Sequence, residues 1–327
     1  MLLSSLNAFW DLLRPLCDHA GSIRFCEIGV SRGEFAEVLV NYCLKRSCWY
    51  CGVDTELDDH FVSGHSGPQS IFHQEASLDV LADLPPQDVY FIDGDHNYYT
   101  VSNELRLILR HEGNWPLIFL HDVCWPWGRR DQYCAPESIP VEFRHRYSTV
   151  LGVLPGRNEL GPGGFSGDSS DYSYGAADHE GGPRNGVLTA VEDVLCELPK
   201  NEWKVIVIPV VFGLGIMYSP PQCRPEVSEH LALLSRSVDA LRHILELLER
   251  DRLDLFFGHL QSVKDLATIH AEYGKLQQAY GGLENHSKQL LTSYNDLMQV
   301  YHQLETHDAS LQTAYDELSL RHQKRKK

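Results

Sequence analysis

The segment FIDGDHNYY (residues 91–99) places ionisable side chains directly after an apolar run. Residues 89–92 have the composition of a buried strand, and Asp93, Asp95 and His96 follow immediately. Because a turn needs only one aspartate or glycine, this density of ionisable groups indicates a catalytic or binding site. The structural alternative is that Asp93 closes the turn and that Asp95 or Asn97 caps the next helix.

A second apolar run, FLHDV (residues 119–123), contains His121 and Asp122. Since the carboxyl ends of neighbouring parallel strands meet at one edge of a sheet, we expect Asp93 and Asp122 to converge. Two carboxylates form an oxygen-rich site suited to Mg²⁺ or Mn²⁺, and the imidazole of His96 can take a proton from a hydroxyl. For His121, metal ligation and packing both remain open.

An earlier strand-like run ends in EIGVSRG (residues 27–33), which supplies Glu27, Gly29 and Gly33. Two glycines at this spacing permit a tight turn and a close approach of the backbone to a ligand. The G-x-G-x-x-G fingerprint lacks its middle glycine, which counts against a nicotinamide dehydrogenase. Asp54 ends the next strand and is placed to accept hydrogen bonds from a ribose. Together these residues predict a nucleoside site without a bulky pyrophosphate.

Two polar segments further along are candidate substrate contacts. They are WPWGRRDQYC (residues 125–134) and GGPRNGV (residues 181–187). Aromatic faces and arginine forks suit a glycan or a phosphorylated substrate, whereas a salt-bridged surface loop is the structural alternative. The candidate side chains are those of Arg129, Arg130, Asp131, Tyr133, Arg184 and Asn185.

The elements that must position these residues alternate along residues 22–220. Strand patterns occur at residues 23–28, 49–53, 70–73, 89–92 and 117–120, and helical patterns at 33–44, 100–110 and 187–198. Residues 203–210 and 214–218 predict a closing antiparallel pair. This alternation predicts an α/β fold with a Rossmann-like, doubly wound, mostly parallel seven-stranded sheet. Residues 123–186 interrupt it as a substrate lid or a disordered insertion, and both interpretations remain open.

The C-terminal part has a different pattern. After a helical linker at residues 221–262, an apolar heptad stripe over residues 263–327 predicts a coiled coil, hence a homo-oligomer or docking to a partner enzyme. A long helix folded back on the catalytic domain is the alternative, because Gly281-Gly282 and Asp308 weaken a continuous coil. The stripe consists of Leu266, Ile269, Tyr273, Leu276, Tyr280, Leu283, Leu290, Tyr294, Leu297, Tyr301, Leu304, Leu311, Tyr315 and Leu318.

Composition narrows the class of protein. A formal net charge of −17 argues against nucleic-acid binding through a basic surface. Nine scattered cysteines are typical of reduced thiols, and Cys48 and Cys51 lack the second pair that a zinc site needs. Residues 1–21 predict an amphipathic helix packed on the core, without the basic start of a signal peptide. We therefore expect a cytoplasmic protein without a transmembrane segment.

FIDGDH and FLHDV resemble strand ends of the class I S-adenosylmethionine-dependent methyltransferases. Within that class the sequence is similar to the macrocin-type sugar O-methyltransferases, a methyltransferase 24-like group whose fourth strand ends in I-D-G-x-H. The resemblance covers about residues 22–220. It implies S-adenosylmethionine as methyl donor and Mg²⁺ or Mn²⁺ as an assisting cation.

The resemblance also implies roles for single residues. Glu27 and Gly29 would line the methionine end of the cofactor, with Gly33 in the same turn. Asp54 would hold the ribose, and Ala76-Ser77 would lie beside the adenine.

At the reacting centre the resemblance makes Asp93 a metal ligand beside the cofactor, Asp122 a second ligand and His96 the general base. His121 stands where the macrolide enzymes of the group have a carboxylate, which puts the metal in question. The resulting hypothesis is an O-methyltransferase acting on a sugar hydroxyl. The alternative is a non-catalytic scaffold with the same fold and an oligomerising coiled coil.

Overall fold

A computed structural model describes residues 5–165 and 174–325 of the chain. The predicted positions at residues 1–4, in the insertion at 166–173 and at the last two residues lie outside the described part. The chain divides into a unit of residues Met1–Phe257 and a unit of residues Gly258–Lys327, which are treated separately below.

The first unit is built on a seven-stranded sheet with the order β3-β2-β1-β4-β5-β10-β9. All neighbours pair in parallel except β10, which is antiparallel to both β5 and β9. The predicted Rossmann-like fold is confirmed. The strands are β1 Arg24–Ile28, β2 Trp49–Asp54, β3 Ser70–Gln74, β4 Val89–Ile92, β5 Leu117–His121, β9 Lys204–Ile208 and β10 Leu214–Tyr218.

The central strands are apolar on both faces because helices cover both sides of the sheet. Every residue of β4 and β5 is buried, which explains why these runs show no alternation of polar and apolar positions. Five helices lie between the strands of the sheet: α2 Glu34–Arg46, α3 Asp59–His65, α4 Ser77–Asp83, α5 Tyr98–Leu109 and α6 Val187–Glu197. The short helices α3 and α4 were not predicted, since seven residues give too little periodicity to recognise.

The N-terminal segment packs on the sheet as expected. A 3₁₀ turn at Leu6–Phe9 leads into α1 (Trp10–Ala20), and Leu6, Leu13 and Leu16 are fully buried in the core. The described part of the predicted helix therefore covers part of one face of the sheet.

The insertion after β5 is more ordered than a loop. It contains a small antiparallel sheet with the order β6-β8-β7, formed by β6 Gln132–Tyr133, β7 Tyr147–Ser148 and β8 Gly175–Ala177. Two 3₁₀ turns lie at Pro136–Ser138 and Val141–Phe143. Strands of two or three residues cannot be recognised by alternation, so this sheet was missed.

A single helix, α7, spans Pro225–Arg325, so the predicted linker and coiled coil belong to one element. In the first unit, Val227, Leu231 and Val238 are buried in the core. The division between the units falls at Phe257, a few residues before the expected end of the linker.

In the second unit the apolar stripe of α7 is exposed, with residue exposures between 53% for Tyr301 and 70% for Tyr280. The stripe also carries a repeat. Residues 273–293 and 294–314 share tyrosine, leucine, glutamine, glutamate, histidine and threonine at matching positions, a period of 21 residues from Tyr273 to Tyr294. The polar members Ser287 and Asp308 occupy the same place in each repeat.

Two expectations about cysteines and membranes can be compared with the structure. All nine cysteines are free, including buried Cys48 and Cys51. Within the described residues, no helix combines the length and the apolar character that crossing a bilayer requires.

Candidate active site

Four ionisable side chains converge at the carboxyl ends of β4 and β5. Nε2 of His96 lies 3.4 Å from Oδ1 of Asp93 and 3.1 Å from Oδ2 of Asp122. Nδ1 of His121 lies 3.0 Å and 3.1 Å from the same two oxygens. We call Asp93, His96, His121 and Asp122 the strand-end cluster.

The backbone conformation after β4 and β5 positions both carboxylates. Asp93 follows β4, and its N–H donates to the Ile28 carbonyl of β1 at 2.8 Å. Asp122 follows β5 with φ at +58°, a left-handed conformation that an aspartate tolerates better than most residues. Asn97, and not Asp93, caps α5, because its side chain accepts from the Thr100 N–H at 2.8 Å. Asn97 thus has the capping role that the structural alternative gave to Asp95 or Asn97, whereas Asp93 lies in the cluster.

The second ring nitrogen of each histidine is already engaged. Nδ1 of His96 lies 2.8 Å from Oε1 of Gln132, and Nε2 of His121 lies 2.9 Å from the Val211 carbonyl. Both partners are acceptors, so these ring nitrogens carry the protons. Each imidazole thus presents one remaining nitrogen to the two carboxylates, and the arrangement requires positive charge between them.

The electrostatics of the cluster follow from this geometry. Burial alone would raise the pKa of Asp93, but His121 and His96 outweigh it and hold the pKa well below its usual value. Burial opposes the charged form of His96, yet Asp122 and Asp93 raise its pKa to about 9. The pKa of His121 is raised well above its usual value against the same burial, by Asp93 and Asp122.

Three members of the cluster have the spacing of a cation site. Asp93, His96 and Asp122 each offer one ligand atom, and these atoms all lie within 4.8 Å of one another. Across the described residues no second group of three such side chains occurs. His121 is 1% exposed in its side chain and His96 16%, so His96 alone of the two histidines remains open to a substrate.

The predicted cofactor turn lies beside the cluster. Gly29, with φ at +92°, donates to the Val53 carbonyl at 2.9 Å, and a Cβ at this position would collide with the Asp93 backbone. Gly33, with φ at +83°, packs against the ring of Phe61 and has no room for a Cβ. Only glycine therefore satisfies both positions, which explains the spacing in EIGVSRG.

The two predicted cofactor acids differ in their surroundings. Glu27 is buried and accepts from the Tyr50 hydroxyl at 2.5 Å, and burial raises its pKa to about 8. Asp54 is half-buried and accepts the Ser31 N–H at 2.7 Å and the Glu56 N–H at 3.0 Å. Each oxygen of Asp54 keeps a free lone pair for a further donor.

The predicted adenine residues begin α4. Ala76 is its N-terminal cap residue, and the Ser77 hydroxyl donates to Glu104 at 2.5 Å. Glu104 is fully buried, burial raises its pKa to about 7, and its second carboxyl oxygen has no partner.

Four of the predicted substrate contacts lie in the interior. Asp131 accepts from the N–H groups of Tyr98 and Gly186, both at 2.7 Å, and from the Tyr133 hydroxyl at 2.9 Å. Asn185 accepts from the Asp131 N–H at 2.7 Å. The structure gives them bonds within the chain and no exposed face. The fully buried four are Arg130, Asp131, Tyr133 and Asn185.

The other two candidates are at the surface. Arg129 forms a fork with Glu192 at 2.6 and 2.7 Å, which fits the salt-bridged alternative. Arg184 stacks on Phe143 at 5.0 Å and lines a cleft of about 380 Å³ together with Glu142, Arg144, His145 and Pro183.

Sequence reasoning missed the residues that orient the cluster and the cofactor acid. Gln132 is 36 residues from His96 in sequence, and Val211 is 90 residues from His121. Neither contact leaves a local pattern. Tyr50 lies in β2, which pairs with the strand of Glu27, but residues 50–53 are all buried and no alternation marks the tyrosine.

Known proteins resemble the first unit in its methyltransferase domain. Residues 26–123 match a family described as a methyltransferase domain, which confirms the resemblance to methyltransferases seen in the sequence. No curated protein sequence matches the chain. The matched segment contains Glu27, Gly29, Gly33, Asp54, Ala76, Ser77, Asp93, His96, His121 and Asp122.

Solved structures resemble the chain at low identity. The S-adenosylhomocysteine-bound methyltransferase PaMTH1 of Podospora anserina is 15% identical over 65% of this chain and 78% of its own, with a TM-score of 0.39. The O-methyltransferase TomG of Streptomyces achromogenes, involved in tomaymycin synthesis and bound to S-adenosylmethionine, is 14% identical over 66% and 82%, with a TM-score of 0.36. The methyltransferase MycE of the mycinamycin pathway, bound to Mg, S-adenosylhomocysteine and mycinamycin VI, is 17% identical over 36% and 35%, with a TM-score of 0.29.

Proposed function

We propose that the protein is an S-adenosylmethionine-dependent O-methyltransferase that acts, with a divalent cation, on a hydroxyl of a sugar, a glycosylated natural product or a polysaccharide. The observation that carries the proposal is the convergence of the strand-end cluster beside the Gly29 turn. Because β1 and β4 pair directly, a methyl donor at that turn and a hydroxyl at the cluster would lie next to each other.

The cofactor would supply an electrophilic methyl group on its sulfonium. Gly29 lets the backbone approach the methionine end, with Glu27 behind it. Asp54 has free lone pairs for the ribose hydroxyls. We place the adenine beside Ala76 and Ser77, at the start of α4.

A divalent cation such as Mg²⁺ or Mn²⁺ fits the cluster, because the facing carboxylates and imidazole nitrogens require positive charge between them. Asp93 and Asp122 would be its carboxylate ligands. Nε2 of His96 and Nδ1 of His121 both face these carboxylates, and we assign the buried His121 as the third ligand because His96 is the histidine open to a substrate. When bound, the cation would lower the pKa of the acceptor hydroxyl. His121 thus offers a donor where the resembled enzymes have a carboxylate.

His96 is the proposed general base. Gln132 holds its Nδ1–H, and a cation neutralising Asp93 and Asp122 would remove the charges that raise the pKa of His96, which would leave Nε2 as the atom that takes the proton of the hydroxyl. Its partial exposure lets a substrate reach that atom. Removal of the proton makes the oxygen nucleophilic enough to attack the methyl group.

The cleft at Arg184 supports a polar, ring-containing acceptor. Phe143 offers an aromatic face, and Arg184 and Arg144 offer forked donors. The ring of Phe143 also contacts that of Tyr99, at the start of α5, with centroids 5.0 Å apart.

The first experiment is a calorimetric titration of the purified protein with S-adenosylmethionine. Binding is expected, and its absence at millimolar ligand would reject the proposal. Dialysis against a chelator, followed by re-addition of Mg²⁺ or Mn²⁺, tests the cation through loss and recovery of turnover.

The site assignment is tested by Asp93→Ala and His96→Ala. Turnover should fall by about 100-fold or more, since general-base catalysis contributes on that order, while cofactor affinity survives. Asp95→Ala is the matched control, because Asp95 bonds to Thr100 and lies outside the cluster. Full activity in both Asp93→Ala and His96→Ala would make the site assignment wrong. Cofactor binding without turnover on any acceptor would favour the scaffold alternative.

We further propose that the heptad stripe of the second unit joins copies of this chain or docks a partner enzyme, in the cytoplasm. The exposed leucines and tyrosines supply the apolar face that such a coil needs.

A further inference from the structure

A carboxylate on α7 holds the turn between β9 and β10. Glu249, which is 9% exposed, accepts the N–H groups of Val211 and Phe212, each at 2.9 Å. Arg252 donates to both oxygens of the same carboxylate at 2.7 Å and lies 4.5 Å from the ring centroid of Phe212. Two backbone donors and one guanidinium therefore meet on a single carboxyl group.

The turn needs such a partner because its backbone is strained. Val211 has φ at +51° and Phe212 at +64°, although neither is glycine and Val211 is β-branched. The Phe212 carbonyl also accepts the Cys124 N–H at 2.9 Å, just beyond the cluster. Strain of this kind persists only when surrounding contacts over-determine it.

The strained turn in turn orients His121. Its Val211 carbonyl accepts Nε2–H of His121, so Nδ1 must face the two carboxylates. Phe9 and Phe212 flank the imidazole at centroid distances of 6.3 and 6.4 Å. The histidine therefore has one polar contact on its outer side, and that contact depends on the turn.

We propose that Glu249 is a positioning residue for the strand-end cluster: by holding the Val211-Phe212 turn, it fixes the ring orientation of His121. The proposal rests on the proposed function for its effect on turnover, but not for its effect on the imidazole. It makes a residue of the long C-terminal helix part of the support of the active site.

The test compares Glu249→Gln with Glu246→Gln. Glu246 is exposed and lies three residues earlier on the same helix, so the control makes the same change of charge without touching the turn. Samples labelled with ¹⁵N-histidine report the hydrogen-bonded Nε2–H of His121, and His121→Gln identifies the signal. Cofactor affinity, KM and kcat are measured on the same samples.

Glu249→Gln should remove the hydrogen-bonded Nε2–H signal of His121 and lower kcat by about 10- to 100-fold, as loss of an outer hydrogen-bond partner does at such sites. KM for S-adenosylmethionine should stay within about twofold, since Glu249 does not touch the cofactor turn. A folded Glu249→Gln variant with the wild-type His121 signal overturns the proposal. If the wild type proves inactive, the proposed function fails, but the imidazole signal still decides this inference.

Arg252→Lys covers the case in which Glu249→Gln does not fold. Lysine keeps the charge and loses the fork, so the turn should loosen without losing its carboxylate. Faster solvent exchange of the His121 Nε2–H is expected in this variant, and an unchanged exchange rate overturns the proposal.

Discussion

At the scale of one residue, burial changes the protonation of the carboxyl group of Glu27. It is 2% exposed, and its only hydrogen-bond donor among the described contacts is the Tyr50 hydroxyl. Burial raises its pKa to about 8, with Asp93 and Asp54 adding to the rise and Tyr50 opposing it. The group is therefore mostly protonated at neutral pH in the folded, ligand-free protein.

This predicts a pH dependence of stability. Because the folded-state pKa of Glu27 lies above the unfolded value, its contribution is present at acidic pH and is lost as the pH rises to about 8. Glu27→Gln should flatten this fall in the free energy of unfolding, measured by urea denaturation at several pH values.

Glu37→Gln, an exposed acid on α2, is the control for Glu27→Gln and should leave the slope unchanged. An identical slope in Glu27→Gln and the wild type would show that Glu27 ionises normally in the fold.

The identities of Asp93, His96 and Asp122 could be predicted at this scale because strand ends gather at one edge of a sheet. Which atoms of these side chains face one another could not be predicted from the sequence. They depend on Gln132 and Val211, which reach the cluster from distant parts of the chain.

At the scale of one element, the insertion after β5 is stabilised by its own polar centre. Asp131 joins three parts of the chain, since its acceptors bind Tyr98 at α5, Gly186 before α6 and Tyr133 in β6. A sequence rich in arginine, aspartate and tyrosine indicates polar contacts but not whether they face solvent. This is why the interior position of Asp131 was not predicted.

Asp131→Ala should therefore act on stability. The substitution leaves buried donors without an acceptor, at a cost of about 3 kcal/mol or more, since each such donor costs about 1–3 kcal/mol. Thermal denaturation measures the loss. At a temperature where the variant stays folded, KM for the acceptor should be unchanged.

Arg129→Ala is the matched control within the same segment. Its exposed pair with Glu192 contributes about 0–1 kcal/mol, so its melting temperature should stay close to the wild type. A large rise in acceptor KM for Asp131→Ala at full stability would instead give Asp131 the substrate role first expected from the sequence.

At the scale of the whole molecule, the alternation of strands and helices was enough to predict the sheet. Long apolar runs such as β5 are unambiguous because both faces are covered. The strands of the insertion were missed because two or three residues carry no period. A helical pattern from residue 226 onward was also recognised, although the helical linker and the coiled coil were treated as two segments of what the structure shows to be the single helix α7.

The heptad stripe predicts self-association. Leu276→Asp with Leu297→Asp places charges in the stripe and should reduce the molar mass measured by light scattering after size-exclusion chromatography. Cofactor binding should persist, since every cofactor candidate lies in the first unit.

Gln278→Asp with Gln299→Asp makes the same change of charge two residues away from each leucine, off the stripe. This control should keep the wild-type mass. If both double variants and the wild type are monomers, the stripe does not join copies of this chain.

The 21-residue repeat of α7 defines a length by which the helix could be extended or shortened. Because the period equals three heptads, adding or removing one whole repeat keeps every leucine and tyrosine on the heptad stripe of a supercoiled helix. The helix would change by about 31 Å per repeat at 1.5 Å per residue. If α7 forms the predicted coiled coil, gain or loss of whole repeats would change the length of the helix in fixed steps and keep the same contact stripe.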